Sequence, residues 1–105
     1  MIINRPEILK ISVTGHRLIS NSETQLAHSI RWVLKRISNE YENSDIHLYS
    51  ALAEGSDQLV AEIALEFKNI GLYVPLPMAI GDYLRYFSSK SAQEKFHYLL
   101  LKASK

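Results

Sequence analysis

A three-layer α/β fold around a parallel sheet is what three features of this chain predict. Short apolar runs at Ile8 to Thr14, Ile46 to Ala51 and Leu72 to Leu76 read as strands. Segments with helical spacing of apolar residues lie between them. The resulting strand, helix, strand, helix, strand order is the βαβαβ unit, whose crossovers are right-handed almost without exception, so the sheet is predicted to be parallel.

Each element has its own local warrant. In the first strand Leu9, Ile11 and Val13 fall on one face and Lys10, Ser12 and Thr14 on the other. Pro6 keeps the lead-in from becoming helix. Ser20-Asn21-Ser22-Glu23 and Ser22-Glu23-Thr24-Gln25 both fit a capping box for the first helix, whose expected core stripe is Leu26, Ile30, Val33, Leu34, Ile37 and Tyr41. Trp32 lies off that stripe, which suits packing against a flanking segment or simple exposure, with a partner surface as the alternative. Asn43-Ser44-Asp45 breaks the helix. The second helix is predicted from a cap at Ser56 or Asp57 through Phe67, with Leu59, Val60, Ile63, Ala64 and Phe67 inward and Gly71 as its stop. Leu65 and Ala61 lie off that face and suggest cover from both sides. Pro75 lacks an amide for a central ladder, so the third strand is expected at an edge or ending there. Asp82 is the expected cap of a short helix through Phe87. Ser91-Ala92-Gln93-Glu94 is the expected capping box of a last helix with Phe96, Leu99, Leu100 and Ala103 inward.

The 105 residues make one domain, 1–105, with a single core. A net charge of +1 predicts neither a nucleic-acid tract nor an acidic tail. The chain has no cysteine, which excludes a disulfide framework and a thiolate metal site and fits a reducing cytoplasm. No apolar stretch reaches membrane-spanning length, and no signal-peptide pattern opens the chain. His16, His28, His47 and His97 show no metal-ligand arrangement, so no metal site is expected; the expected cofactor set is likewise none.

A parallel sheet brings the loops after the strands to one crevice at their carboxyl ends, where ligands of open α/β sheets bind. The first loop, Thr14-Gly15-His16-Arg17, is basic; the second, Leu52-Ala53-Glu54-Gly55-Ser56-Asp57, is acidic; the third is Pro75-Leu76-Pro77. Arg17 suits an anionic group, or a staple to Glu54 or Asp57. Asp57 suits a sugar hydroxyl, a helix cap, or both, since a carboxylate has several acceptor sites. Glu54 and Asp57 together would repel an anion at the second helix, which puts a phosphate nearer Arg17 and the amides around Gly15. Gly15 also fits a tight turn alone, and His16 fits either proton transfer or a turn hydrogen bond. Ser50 and Thr14 are secondary hydrogen-bond candidates.

Three segments together carry a family resemblance. Val13-Thr14-Gly15-His16-Arg17, then Ser50-Ala51-Leu52-Ala53-Glu54-Gly55-Ser56-Asp57-Gln58-Leu59 with Ala61-Glu62, then Leu76-Pro77 followed by Tyr83 and Phe87, resemble the SLOG superfamily of Rossmann-like domains. That superfamily includes the Smf/DprA and LOG proteins, and the likeness is to its TGHR plus LAEGAD branch, over Ile8 to about Ala103. Ser56 stands where alanine is usual. Nothing matches the PGGxGTxxE motif that carries a catalytic glutamate in the hydrolytic LOG proteins. The chain stops after Ser104-Lys105, about where a fourth strand is expected, as a fragment or minimal version would.

The resemblance implies nucleotide or nucleotide-derivative binding, with Thr14, Gly15, His16, Arg17, Ser50, Glu54, Gly55, Ser56, Asp57 and Pro77 as the ligand-contacting set. A sensor or binding module is the leading expectation. A nucleotide phosphoribohydrolase-like enzyme, with Glu54 or Asp57 replacing the missing glutamate, is the alternative, and a non-catalytic oligomerisation domain is the third. With strand order three, two, one, the first strand is a bare edge. A second copy or the helix from Ala92 to Ala103 is expected to cover it, which favours a homo-oligomer.

Overall fold

Which face of a strand is buried follows from alternation with period two, and two of the three strands obey it sharply. The computed structural model describes residues 5–13 and 23–104. Its elements in chain order are β1 (Ile8–Ser12), α1 (Glu23–Glu40), β2 (Asp45–Tyr49), α2 (Ser56–Ala64), β3 (Ile70–Tyr73), α3 (Ile80–Leu84) and α4 (Lys90–Lys102). Ile46 and Leu48 of β2 and Ile70 and Leu72 of β3 are buried, and Leu9 and Ile11 of β1 pack against the same core.

The sheet is parallel, in the order β1-β2-β3. Ile11 pairs with Leu48, and Leu48 with Leu72. Right-handed crossovers between strands that neighbour in space as they do in sequence put both crossover helices on one face, and α1 packs against α2 there. The third of the expected layers is therefore not supplied by α1 or α2. Toward the opposite face alternate Ile8, Lys10 and Ser12, all exposed, and His47, Tyr49 and Tyr73, half-buried. The His47 and Tyr73 rings lie 4.3 Å apart between centroids, and Tyr49 and Tyr73 lie 5.5 Å apart.

Helix α2 is held from two sides, by α1 and by α4. This explains why Ala61, off the expected inward face, is fully buried. Arg31 of α1 makes a two-pronged contact with Glu66 just beyond α2, Nε and Nη2 each donating at 2.8 Å. Asn69, before β3, accepts from the Ser38 hydroxyl at 2.6 Å and donates to the Ser38 carbonyl at 3.1 Å. Phe96 and Leu99 of α4 are fully buried, and the Tyr83, Phe87 and Phe96 rings meet edge to face at 5.3–5.7 Å.

Several local expectations are corrected. β1 ends at Ser12, with Thr14 outside the described residues, while β2 and β3 each begin and end earlier than their apolar runs suggest. Val33 belongs to the α1 surface, 47 % exposed, because the stripe that meets the core runs through Ile30, Leu34 and Ile37. α2 closes at Ala64 rather than Phe67, and Gly71 lies inside β3 instead of ending a helix. Gly71 has a reason of its own: a Cβ there would come within 3.0 Å of the Ser104 hydroxyl oxygen. α2 is capped by Gly55, not Ser56 or Asp57, and α3 by Ala79, not Asp82, with α3 ending at Leu84 short of Phe87. α4 is capped by Ser89, whose hydroxyl accepts from the Ala92 amide, not by Ser91. Finally, α4 packs on α2, and the Ser104 amide that follows it donates to the Leu72 carbonyl at 2.7 Å. That is the sheet edge opposite β1, so the last helix does not cover the first strand.

Candidate functional site

The ladders run on past the strands and bring the exits of β1 and β2 level. The Val13 amide donates to the Tyr49 carbonyl at 3.1 Å, and the Ser50 amide to the Tyr73 carbonyl at 3.0 Å. The chain thus leaves β1 beside the loop that follows β2. Thr14, Gly15, His16 and Arg17 lie outside the described residues. Ser50, Glu54, Gly55, Ser56 and Asp57 share the loop from β2 into α2, and Pro77 is exposed beyond the end of β3.

That loop is built around two residues of positive φ. Leu52 has φ 58°, a conformation leucine rarely takes, and its side chain is fully buried. Three bonds hold it there. The Leu52 amide donates to the Ser50 hydroxyl at 3.1 Å, the Leu52 carbonyl accepts from the Gln58 amide nitrogen at 3.2 Å, and Ser50 itself is buried and reaches the Asp57 carbonyl at 3.4 Å. Gly55 has φ 103° and ψ −133°, which only glycine adopts without strain, and it starts α2 with no side-chain cap.

Asp57 stands in the first turn of α2, 9 % exposed. Its Oδ1 atom is buried and has no hydrogen-bond partner among the described residues. Burial raises the affinity of this carboxyl for its proton, and the amide of Ala53 donating to it opposes the rise. Nearby, the Tyr83 hydroxyl donates to the Ala51 carbonyl at 3.0 Å. Its phenol is pushed up first by burial and then by the charge of Asp57, which places the two groups in one electrostatic environment.

Glu54 points elsewhere. Its carboxylate accepts from the Ser88 amide at 2.7 Å and from the Ser88 hydroxyl, fastening the loop to the turn between α3 and α4. The same segment is tied a second time by Gln58, whose side-chain nitrogen donates to both the Leu52 carbonyl and, at 3.0 Å, the Ala92 carbonyl. Sequence reasoning assigns no site role to Tyr83, Gln58 or Ser88. Tyr83 and Gln58 do stand in the segments that carry the family resemblance, while Ser88 has no signal beyond a serine between two helices. Among the described residues no group of three or more His, Asp or Glu side chains converges as a metal site would require, and no helix is long and apolar enough to cross a membrane.

No protein-family model matches this chain, and neither a curated protein nor a solved structure is significantly similar to it.

Proposed function

We propose that the carboxyl end of this sheet binds a nucleotide or nucleotide derivative and that the domain is a binding or sensing module. The observation that carries this reading is the Asp57 Oδ1 atom, a buried acceptor without a donor among the described residues, in the first turn of α2 just after the loop that leaves β2. Leaving such a group unpaired costs about 1 to 3 kcal/mol. A ligand hydroxyl or amino group that reaches it offsets that cost, and ribose hydroxyls are donors of this kind. Further support comes from Val13, whose amide donates to the Tyr49 carbonyl so that β1 ends beside the loop after β2, and from the sequence, in which Arg17 follows four positions on and is of a type that suits a phosphate. Glu54, engaged with Ser88, orders the loop in this reading and leaves the sugar to Asp57.

The test is thermal stabilisation by nucleoside monophosphates and nucleotide sugars. At a hundredfold excess over the dissociation constant a one-site ligand adds about 2.7 kcal/mol of stability. Asp57→Ala is expected to lose most of that gain. No stabilisation by any nucleotide, or the same gain in Asp57→Ala, overturns the reading.

One observation favours the hydrolytic alternative, namely the raised proton affinity of Asp57, which suits a carboxyl that protonates a departing base. Release of free base in the same samples decides for hydrolysis; stabilisation without turnover decides for sensing.

A further inference from the structure

A buried carboxylate oxygen without a donor holds a lone pair that either a proton or a ligand's hydrogen satisfies. Asp57 is 9 % exposed, its Oδ1 atom has no partner among the described residues, and the amide of Ala53 donates to the other side of the carboxyl. The hydrogens nearby are already committed. The Tyr83 hydroxyl donates to the Ala51 carbonyl at 3.0 Å, the Leu52 amide to the Ser50 hydroxyl at 3.1 Å, and the Gln58 side-chain nitrogen to the carbonyls of Leu52 and Ala92. None of them turns to Oδ1 without leaving its present acceptor unpaired.

The charges on the elements around α2 are spent elsewhere. Glu54 is held by Ser88, Lys95 of α4 lies 3.6 Å from Glu62, and Arg31 of α1 is paired with Glu66, while Asp82 of α3 and Glu94 of α4 are exposed to solvent. Tyr83 of α3 is the titratable group that shares the surroundings of Asp57, and its phenol, pushed up by burial, stays neutral in acid. Two hydrogens therefore compete for Oδ1, the carboxyl's own proton and one carried by a ligand. A carboxyl protonated at Oδ1 is a donor there and a weaker acceptor, whereas the ionised form takes a charge-assisted hydrogen bond. We infer that proton binding and ligand binding at Asp57 exclude each other, so that a ligand whose hydroxyl or amino group donates to Oδ1 releases one proton from the protein to the buffer as it binds. The ligand keeps its own hydrogen. This inference rests on the nucleotide reading above and gives that site a regulation, since acid loosens the ligand. Affinity falls about tenfold for each pH unit below the titration midpoint of the free carboxyl and is level above it. Burial of the free carboxyl acts in the same direction, because the ligand displaces a proton that is held more firmly.

The experiment follows the carboxyl carbon NMR resonance of Asp57 in the whole chain, identified by its loss in Asp57→Asn, from acid to neutral pH. It is recorded without ligand and then saturated with each nucleoside monophosphate or nucleotide sugar that raises the melting temperature. The expected result is a titration midpoint lower in the complex by about one pH unit or more, with calorimetric affinity falling about tenfold per pH unit below the midpoint of the free protein. Heats of binding in two buffers of different ionisation enthalpy are expected to count the proton released. Asp57→Asn has no proton to give up, so its affinity is expected to follow only the titration of the ligand's own phosphate; if that variant does not bind, the resonance of the unaltered protein still decides. A midpoint that stays or rises in a complex overturns the inference and leaves nucleotide binding standing, with the ligand seated away from Oδ1 or accepting from it. If none of these nucleotides binds, the reading and the inference fall together.

Discussion

The carboxylate of Glu54 takes two hydrogen bonds from a single residue, the amide and the hydroxyl of Ser88, across 34 positions of sequence. This contact fastens the α3–α4 turn to the loop that leads into α2. Removing it in Glu54→Ala is expected to lower stability by roughly 0.5 to 1.5 kcal/mol, since the pair is partly solvated. Glu54→Gln keeps an acceptor for the Ser88 amide and is expected to lose less. Chemical denaturation of the two variants checks the order.

Asp57 makes a prediction about pH. Its folded-state proton affinity is raised above the ordinary value of 3.8, so the unfolded chain ionises first as pH rises. Stability from this group is full below about pH 3.8, falls as pH climbs from there through the folded value, and is flat above it. Asp57→Asn cannot ionise and is expected to lack this decline. At neutral pH and without ligand it is expected to be the more stable protein, with the gap closing in acid. Denaturant midpoints of both proteins from acid to neutral pH test it; a gap that widens in acid contradicts the assignment.

Gly55 combines φ 103° with ψ −133°, where any side chain is strained. Gly55→Ala is expected to cost about 1 to 3 kcal/mol and Gly55→Val more, with loss of nucleotide binding in both. Melting temperatures and a titration on the folded fraction measure the two effects separately.

Arg17→Ala is expected to weaken nucleotide binding by roughly 1.5 to 3 kcal/mol with little change in melting temperature of the free protein. Arg17→Lys should recover only part of the affinity, because an ammonium lacks the planar fork of the guanidinium. Calorimetric titration decides. A large fall in melting temperature without ligand points instead to Arg17 as a staple between loops.

Tyr83→Phe removes the donor to the Ala51 carbonyl and keeps the ring cluster with Phe87 and Phe96. A loss of about 0.5 to 1.5 kcal/mol is expected. Phe96→Ala, by contrast, empties a fully buried position and is expected to cost about 3 to 5 kcal/mol. Equilibrium unfolding of the two separates the hydrogen bond from the packing.

The parallel sheet is legible in the sequence because Ile46 and Leu48 are spaced for one buried face and long helical segments separate the strands, which leaves antiparallel hairpins no room. Helix starts are not legible to the residue. Ser89 and Ser91, or Gly55, Ser56 and Asp57, offer competing caps within two positions, and the choice falls to whichever backbone the tertiary contacts already hold. In α2 that choice is made by Leu52, whose burial and φ of 58° fix the turn before the helix begins. Ala61 and Val33 depart from expectation for a related reason. Helical spacing shows which residues share a stripe, but a helix held between two others is buried on more than one stripe, and an outer helix on less than its full apolar arc. The turn from β2 into α2 at Gly55, with Asp57 just after it, is legible. That Glu54 turns to Ser88 is not, because its partner lies beyond two further elements.

Helix α2, gripped by α1, α4 and β3, and strand β1, paired along one side only among the described residues, sit at opposite ends of the scale of local opening free energies. Amides of Ala61, Ile63 and Ala64 should exchange with deuterium only on global unfolding, while those at the margin of β1 open first. The proposed site would draw on both, the first turn of α2 and the chain as it leaves β1. A ligand that spans them would lend the slow helix's protection to the fast strand, so its arrival would be recorded as slowed exchange in Ile8–Ser12, with α2 itself unchanged.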